Sequence, residues 1–262
     1  ASSPRWARAV SAPTPSDSLD LLAVGAHPAD VEISCGGTLA LAASQGLSVG
    51  ILDLTRGELA TNGTPEERAL EGDAAARILG ARGRWNAGLP DGGLDAGDPR
   101  QAIEAVAWIR RLRPAVLLTH FPQDRHPDHV AASALLERAW YLAGLRRYAP
   151  ETAPFRPGTR YHFASRVGFV PSFVVDVTGV WDAKRRAILA HATQVTRDAA
   201  DARPTPLNAE DFLERIESRA RHYGGMIGAR YGEPFHSSEP LGIRSLAGLL
   251  SAPRVAPGSF TD

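Results

Sequence analysis

Two short segments carry most of the residues in this chain that are able to do chemistry. They are Gly25-Ala26-His27-Pro28-Ala29-Asp30-Val31-Glu32 and Asp124-Arg125-His126-Pro127-Asp128-His129. With His120 just ahead of the second, they account for four of the eight histidines. Imidazole and carboxylate are the usual ligands of a catalytic zinc, which keeps three protein ligands and leaves a fourth position to water. A lone His-Pro is ordinarily a turn and a lone His-x-x-Asp seldom binds metal. Two histidine-carboxylate clusters in one chain point to a metal centre.

The elements that must position them follow from pattern. Leu21–Gly25 is a short apolar run of the kind that forms a buried parallel strand. Val31–Gln45 reads as a helix stopped by Gly46, and Ser48–Leu54 as a second buried strand. Thr64 caps a helix over Pro65–Leu79 that ends before Gly80. Gly83–Gly88 holds a short third strand, Asp98 caps a helix over Pro99–Leu112, and Ala115–Thr119 is the fourth strand. A helix over Val130–Ala143, strands near Tyr161–Phe169 and Phe173–Val177, and helices near Trp181–Thr193 and Ala209–Tyr223 complete the reading. The βαβ rhythm predicts an α/β, Rossmann-like fold: a mostly parallel sheet with helices on both faces and right-handed crossovers. Ligands of such sheets bind outside the carboxyl ends of the strands, where both histidine clusters fall.

Residues 1–18 and 251–262 read as flexible tails around a single domain over 19–250, with no internal repeat. Lysine plus arginine balances aspartate plus glutamate, 29 against 29, so charge gives no reason to expect nucleic acid or an acidic membrane as partner. No apolar run reaches the roughly 18–20 residues needed to span a bilayer. The single cysteine, Cys35, rules out an intramolecular disulfide and fits a reducing cytoplasm. The expectation is a soluble, cytoplasmic enzyme acting on a small molecule.

The segment GAHPADVEISCGGT resembles the first signature of the PIG-L and LmbE-like N-acetylglucosaminyl deacetylases, and DRHPDH resembles the second. The likeness runs from Leu19 to Phe235, supported by LDLTRGELATNGTPEER, AARILGARGRWNAGLPDGGL and YGEPF. It is nearest to the bacillithiol branch, whose members act on N-acetylglucosaminyl malate and form homo-oligomers. The resemblance implies one zinc per chain held by His27, Asp30 and His129. It implies that His126 stabilises the tetrahedral intermediate and that Asp128 tunes His126. It further implies that Arg68 bonds sugar hydroxyls, that Arg125 meets the malate carboxylate, and that Arg160 lies at the site mouth.

One departure outweighs these matches. The family motif has an aspartate, the general base, where this chain has Ala29, and alanine accepts no proton. Ala29 is either an engineered inactivation or the residue of a natural member with impaired or altered chemistry; the intact remainder of the site favours the first. A lesser departure is Phe212, which falls where some relatives carry a tyrosine near the active site.

Among the remaining candidates, His120 reads as a loop or core histidine and Glu32 as a cap of the first helix. Asp124 reads equally as a support for a ligand histidine or a turn residue, and Asp53 as a site contact or a turn residue. Two rival functions stand beside the deacetylase. A nucleotide-binding oxidoreductase lacks the Gly-x-Gly-x-x-Gly turn it needs after the first strand. A natural pseudoenzyme would keep metal and pocket for binding a sugar conjugate.

Overall fold

The run Leu21–Gly25 forms strand β1, and its alternation sorts the two faces of the sheet. Leu22 and Val24 pack into one apolar cluster and Ala23 into another, all fully buried. The computed structural model describes residues 18–165, 167–196 and 202–242. Apart from Ser18, the expected tails over 1–18 and 251–262 lie outside the described residues.

Among the described residues, seven strands form one sheet in the order β3-β2-β1-β4-β5-β7-β6. They are β1, β2 (Val49–Thr55), β3 (Gly83–Leu89), β4 (Val116–His120), β5 (Thr159–Phe163), β6 (Phe173–Asp176) and β7 (Gly232–His236). Pairing is parallel from β3 through β5, and β7 runs antiparallel to both neighbours. Helices α3 (Pro99–Leu112) and α4 (Pro127–Ala143) cover the face that carries Leu22, Val24 and Leu117. Helices α1 (Asp30–Ser44), α2 (Pro65–Ile78) and α5 (Trp181–Leu189) cover the face that carries Ala23, Ile51 and Leu118. Two further helices, α6 (Ala192–Val195) and α7 (Phe212–Gly225), follow, and α7 packs on Trp181 and Ile188. The expected α/β architecture with helices on both faces is therefore present.

Several elements differ from the sequence reading: β5 ends at Phe163 rather than near Phe169, and α7 begins at Phe212 rather than Ala209. Helix α4 begins at Pro127 rather than Val130, because proline is well placed at a first helical position and His126 serves as cap. The helix expected over Trp181–Thr193 breaks after Leu189 and resumes as α6. Strand β7 was not anticipated: Gly232-Glu233-Pro234 breaks any apolar period, and its buried Glu233 is matched by a distant partner, Lys184.

Helix α1 is also interrupted, with Cys35 at φ −136° and ψ 19°. The groups freed by this break are satisfied from elsewhere. Glu233 accepts the N–H groups of Gly37 and Thr38 at 2.9 and 2.6 Å, while Lys184 and Arg219 donate to the Ile33 carbonyl at 3.1 and 2.9 Å. The first turn of α1, which begins with Asp30, is thereby held as a separate unit.

Candidate metal centre

At Gly25 the chain folds back closely on itself. A Cβ there would lie 3.1 Å from that of Asp30 and 3.2 Å from the His27 carbonyl oxygen. The loop then turns through Ala29 at φ 87° and ψ −20°. Alanine takes this left-handed conformation at a penalty, whereas aspartate and asparagine tolerate it better. Asp30 opens α1, and its Oδ2 accepts the backbone N–H of His27 at 2.8 Å. At the head of α4, Nδ1 of His126 accepts the Asp128 N–H at 3.2 Å. That cap turns Asp128 and His129 inward, where both are buried.

The two strand ends converge on Asp30. Its Oδ2 lies 3.3 Å from Nδ1 of His27 and 3.3 Å from Nε2 of His129. The opposite nitrogen of each ring faces another carboxylate. Nε2 of His27 is 3.0 Å from Asp91 and 3.2 Å from Asp128, and Nδ1 of His129 is 3.3 Å from Asp124. A metal-binding imidazole is ordinarily supported by a carboxylate on the nitrogen that does not bind; here Asp91 and Asp124 stand in ion-pair contact at those nitrogens. Each histidine thus has one nitrogen toward the centre and one toward its support, so the donor set fits a divalent metal at His27, Asp30 and His129.

By proximity alone, the described residues whose donor atoms lie within 4.8 Å of one another are His27, His126 and His129; Asp30, His120 and His129; and His27, Asp91 and Asp128. His120 Nε2 lies 3.4 Å from the same Asp30 oxygen, but both its nitrogens have other partners. Its Nε2 accepts the Ala26 N–H at 3.0 Å and its Nδ1 lies 3.0 Å from Ser165 Oγ. His126 has one uncommitted nitrogen, Nε2, and its ring sits 4.7 Å from that of His27 and 4.8 Å from that of His129.

The electrostatics favour a cation here. Burial acts against charge on His129, yet the carboxylates of Asp30 and Asp124 raise its pKa to about 10. Burial would raise the Asp30 pKa, but His129, His120 and His27 hold it well below the ordinary carboxylate range. His27 is raised too, with Asp30 and Asp91 outweighing burial. Burial lowers His126, assisted by His27 and His129, and takes His120 down to about 4.

Several expected roles change. Asp128 turns its carboxylate to His27 and accepts the Gly92 N–H at 2.7 Å; it bonds His126 through its backbone N–H, and its charge acts to raise the His126 pKa. Arg160 is not at the site. It pairs in register with Leu117, three residues before His120, and Glu137 (2.6 Å), Glu239 (3.2 Å) and the Trp140 ring (3.9 Å) hold its guanidinium. Arg68 is buried, and its two terminal nitrogens donate to the carbonyls of Gly57 and Pro28, both at 2.8 Å. It clamps two loops beside the centre, and its buried Nε has no hydrogen-bond partner among the described residues. Arg125 is exposed on the loop between the second strand end and α4.

Glu32 does not cap α1. It is fully buried and bonds Arg84 at 2.5 Å, which also holds Asp53 at 2.7 and 2.9 Å. Phe212 packs with Val177, Trp181 and Ile188 in the cluster under α7. Asp91 was missed. Its signal was its place, two residues past the end of β3, which the turn-like Pro90-Asp91-Gly92-Gly93 disguised.

Comparisons with known proteins point to sugar deacetylases. Residues 22–140 match the family described as PIG-L: GlcNAc-PI de-N-acetylase. A 1D-myo-inositol 2-acetamido-2-deoxy-alpha-D-glucopyranoside deacetylase of Rhodococcus jostii is 31% identical over 238 residues, covering 67% of this chain and 82% of the relative. A diacetylchitobiose deacetylase of Thermococcus kodakarensis is 30% identical over 250 residues, covering 88% and 84%. Among solved structures, the conserved protein TT1542 from Thermus thermophilus superposes with a TM-score of 0.78. It is 44% identical, with 86% of this chain and 97% of that chain covered.

Proposed function

The chain belongs to the PIG-L deacetylase family, and on that premise we propose that its site is built for zinc-dependent removal of an acetyl group from an N-acetylglucosamine conjugate. The observation that carries this reading is the meeting of His27 Nδ1 and His129 Nε2 on one oxygen of Asp30, each ring supported from behind by carboxylate. A zinc held there supplies, when bound, polarisation of an amide carbonyl and a water of lowered pKa.

The chain's own residues do the rest. His126 accepts the Asp128 N–H at Nδ1, so the neutral ring carries its proton on Nε2. It is therefore a hydrogen-bond donor without being charged, suited to an oxyanion developing beside the two ligand histidines. Arg68 fixes the loops on either side of the reacting group. Position 29 sits immediately before the ligand Asp30, where a carboxylate would collect the proton of the attacking water. Alanine leaves that task undone, and the loss of a general base costs about 10²–10⁴ in rate. The protein as it stands is a binder with weak turnover, and the left-handed backbone at Ala29 suits the aspartate it lacks.

N-acetylglucosaminyl-L-malate, the bacillithiol precursor, is the conjugate we favour, because the exposed Arg125 can hold a carboxylate in a bidentate fork. A cytoplasmic setting and a homo-oligomeric state belong to the same proposal. The test is amine release from three substrates: N-acetylglucosaminyl malate, the inositol conjugate and diacetylchitobiose. Each is measured with zinc present and after its removal by chelator. Slow, zinc-dependent release that is fastest for the malate supports the reading. Preference for either other sugar overturns the malate assignment, and release indifferent to zinc overturns the metal chemistry.

A further inference from the structure

The residue before the ligand His27 is gripped from both sides. Main-chain pairing of β1 with β4 stops at Ala23 and Leu118, three residues short of Ala26. Beyond that point the N–H of Ala26 finds its acceptor in a side chain, Nε2 of His120, at 3.0 Å. On the β2 side, the Ala26 carbonyl accepts the Thr55 N–H at 3.0 Å and the Thr55 hydroxyl at 2.9 Å. Thr55 and His120 are the last residues of β2 and β4, and both are fully buried.

His120 is fixed in turn. An Nε2 that accepts a hydrogen bond carries no proton, so the neutral ring holds its proton on Nδ1 and donates it to Ser165 Oγ at 3.0 Å. The ring lies flat against His129, with centroids 4.1 Å apart and planes at 22°. The same Nε2 lies 3.4 Å from Oδ2 of Asp30, so one side chain touches Asp30, the loop that bears it and the ring of the ligand from the other strand end.

Resting on the assignment of His27, Asp30 and His129 as ligands, we propose that His120 is a positioning residue for the metal centre. It acts by bonding Ala26 and stacking on His129, not by ligation, and Ser165 selects the tautomer that lets it do so. Loss of such an outer partner typically weakens metal binding by about 10–100-fold.

The test is zinc affinity by chelator competition, which needs no turnover, together with the visible spectrum of the cobalt-substituted protein. Thermal unfolding of the metal-free proteins controls for folding. His120→Ala is expected to lose about 10–100-fold in zinc affinity. Glutamine reaches the position of Nε2 with a carbonyl oxygen, whereas asparagine reaches only that of Nδ1. His120→Gln should therefore recover most of the loss and the parent's cobalt spectrum, and His120→Asn should recover neither. Ser165→Ala should weaken binding less than His120→Ala. Parent-like affinity in His120→Ala, or equal affinity in the Gln and Asn variants, overturns the proposal. A deficit in His120→Gln as deep as in His120→Ala overturns it in favour of direct ligation. Where His120→Ala does not fold, the Gln–Asn comparison decides. A parent chain that binds no zinc overturns the ligand assignment itself, whereas normal zinc binding without deacetylation leaves this inference standing and removes only the proposed activity.

Discussion

Asp124 and His129 stand 3.3 Å apart, Oδ1 to Nδ1, and this contact leaves the opposite nitrogen of His129 directed at Asp30. Asp124 also accepts the His126 N–H at 2.9 Å, so one carboxylate shapes the turn and contacts His129. Of the two readings of Asp124, the turn residue is present, and support of a ligand histidine belongs to the proposed metal site.

That double role makes Asp124 testable. Asp124→Asn should weaken metal binding by about 10–100-fold while the chain stays folded. His129→Ala should abolish stoichiometric metal, read by elemental analysis of protein purified without chelator. Full retention of metal by His129→Ala would remove it from the ligand set.

Much of this site could be read from residue order. The parallel strands, the two strand-end clusters and the caps at Thr64 and Asp98 all arise from local chemistry, which spacing reports. What escaped depends on partners far apart in the chain. Asp91 reaches His27 from a turn that looks like any Pro-Asp-Gly-Gly. Glu32 meets Arg84 across 52 positions, and Glu233 meets Lys184 across 49. Arg160 shows the converse error: an arginine assigned to the site by likeness is spent on Glu137 and Trp140 at the far end of β5.

Arg68 and Gly57 are matched. Gly57 has φ 69°, and a Cβ there would fall 1.6 Å from Nη1 of Arg68. Gly57→Ala should destabilise the fold by at least about 1–2 kcal/mol from the left-handed backbone alone. Arg68→Met should cost about 1–3 kcal/mol by stranding the carbonyls of Gly57 and Pro28. Urea unfolding of both variants checks this, and parent-like stability of Arg68→Met would show that the clamp contributes nothing.

Glu137 gives the fold a signature in acid. Burial would raise its pKa, but His162 and Arg160 bring it down to about 2. A carboxylate depressed on folding stabilises the protein above its unfolded pKa, near 4.5, and loses that contribution as pH falls toward about 2. The stability gap between the parent and Glu137→Gln should therefore be full at neutral pH and shrink through that window. A gap that is constant with pH would assign the effect to shape rather than charge.

Arg125 governs the choice of conjugate in this account. A guanidinium forks onto a carboxylate in a way that lysine cannot copy. Arg125→Lys should weaken binding of N-acetylglucosaminyl malate far more than that of free N-acetylglucosamine, as calorimetry would show. Equal losses would mean that Arg125 does not read the acid.

The central claim is that the ligands, the donor and the positioning residues are in place and only the proton acceptor is missing. Ala29→Asp places a carboxylate immediately before Asp30, on a backbone with φ of 87° that aspartate tolerates better than alanine. The decisive measurement is the zinc-dependent rate of amine release from N-acetylglucosaminyl malate, compared between the parent and Ala29→Asp. The account predicts a gain of about 10²–10⁴ in turnover with much less change in affinity. An Ala29→Asp protein that binds zinc and substrate yet hydrolyses no faster would contradict it and leave the chain as a sugar-conjugate binder.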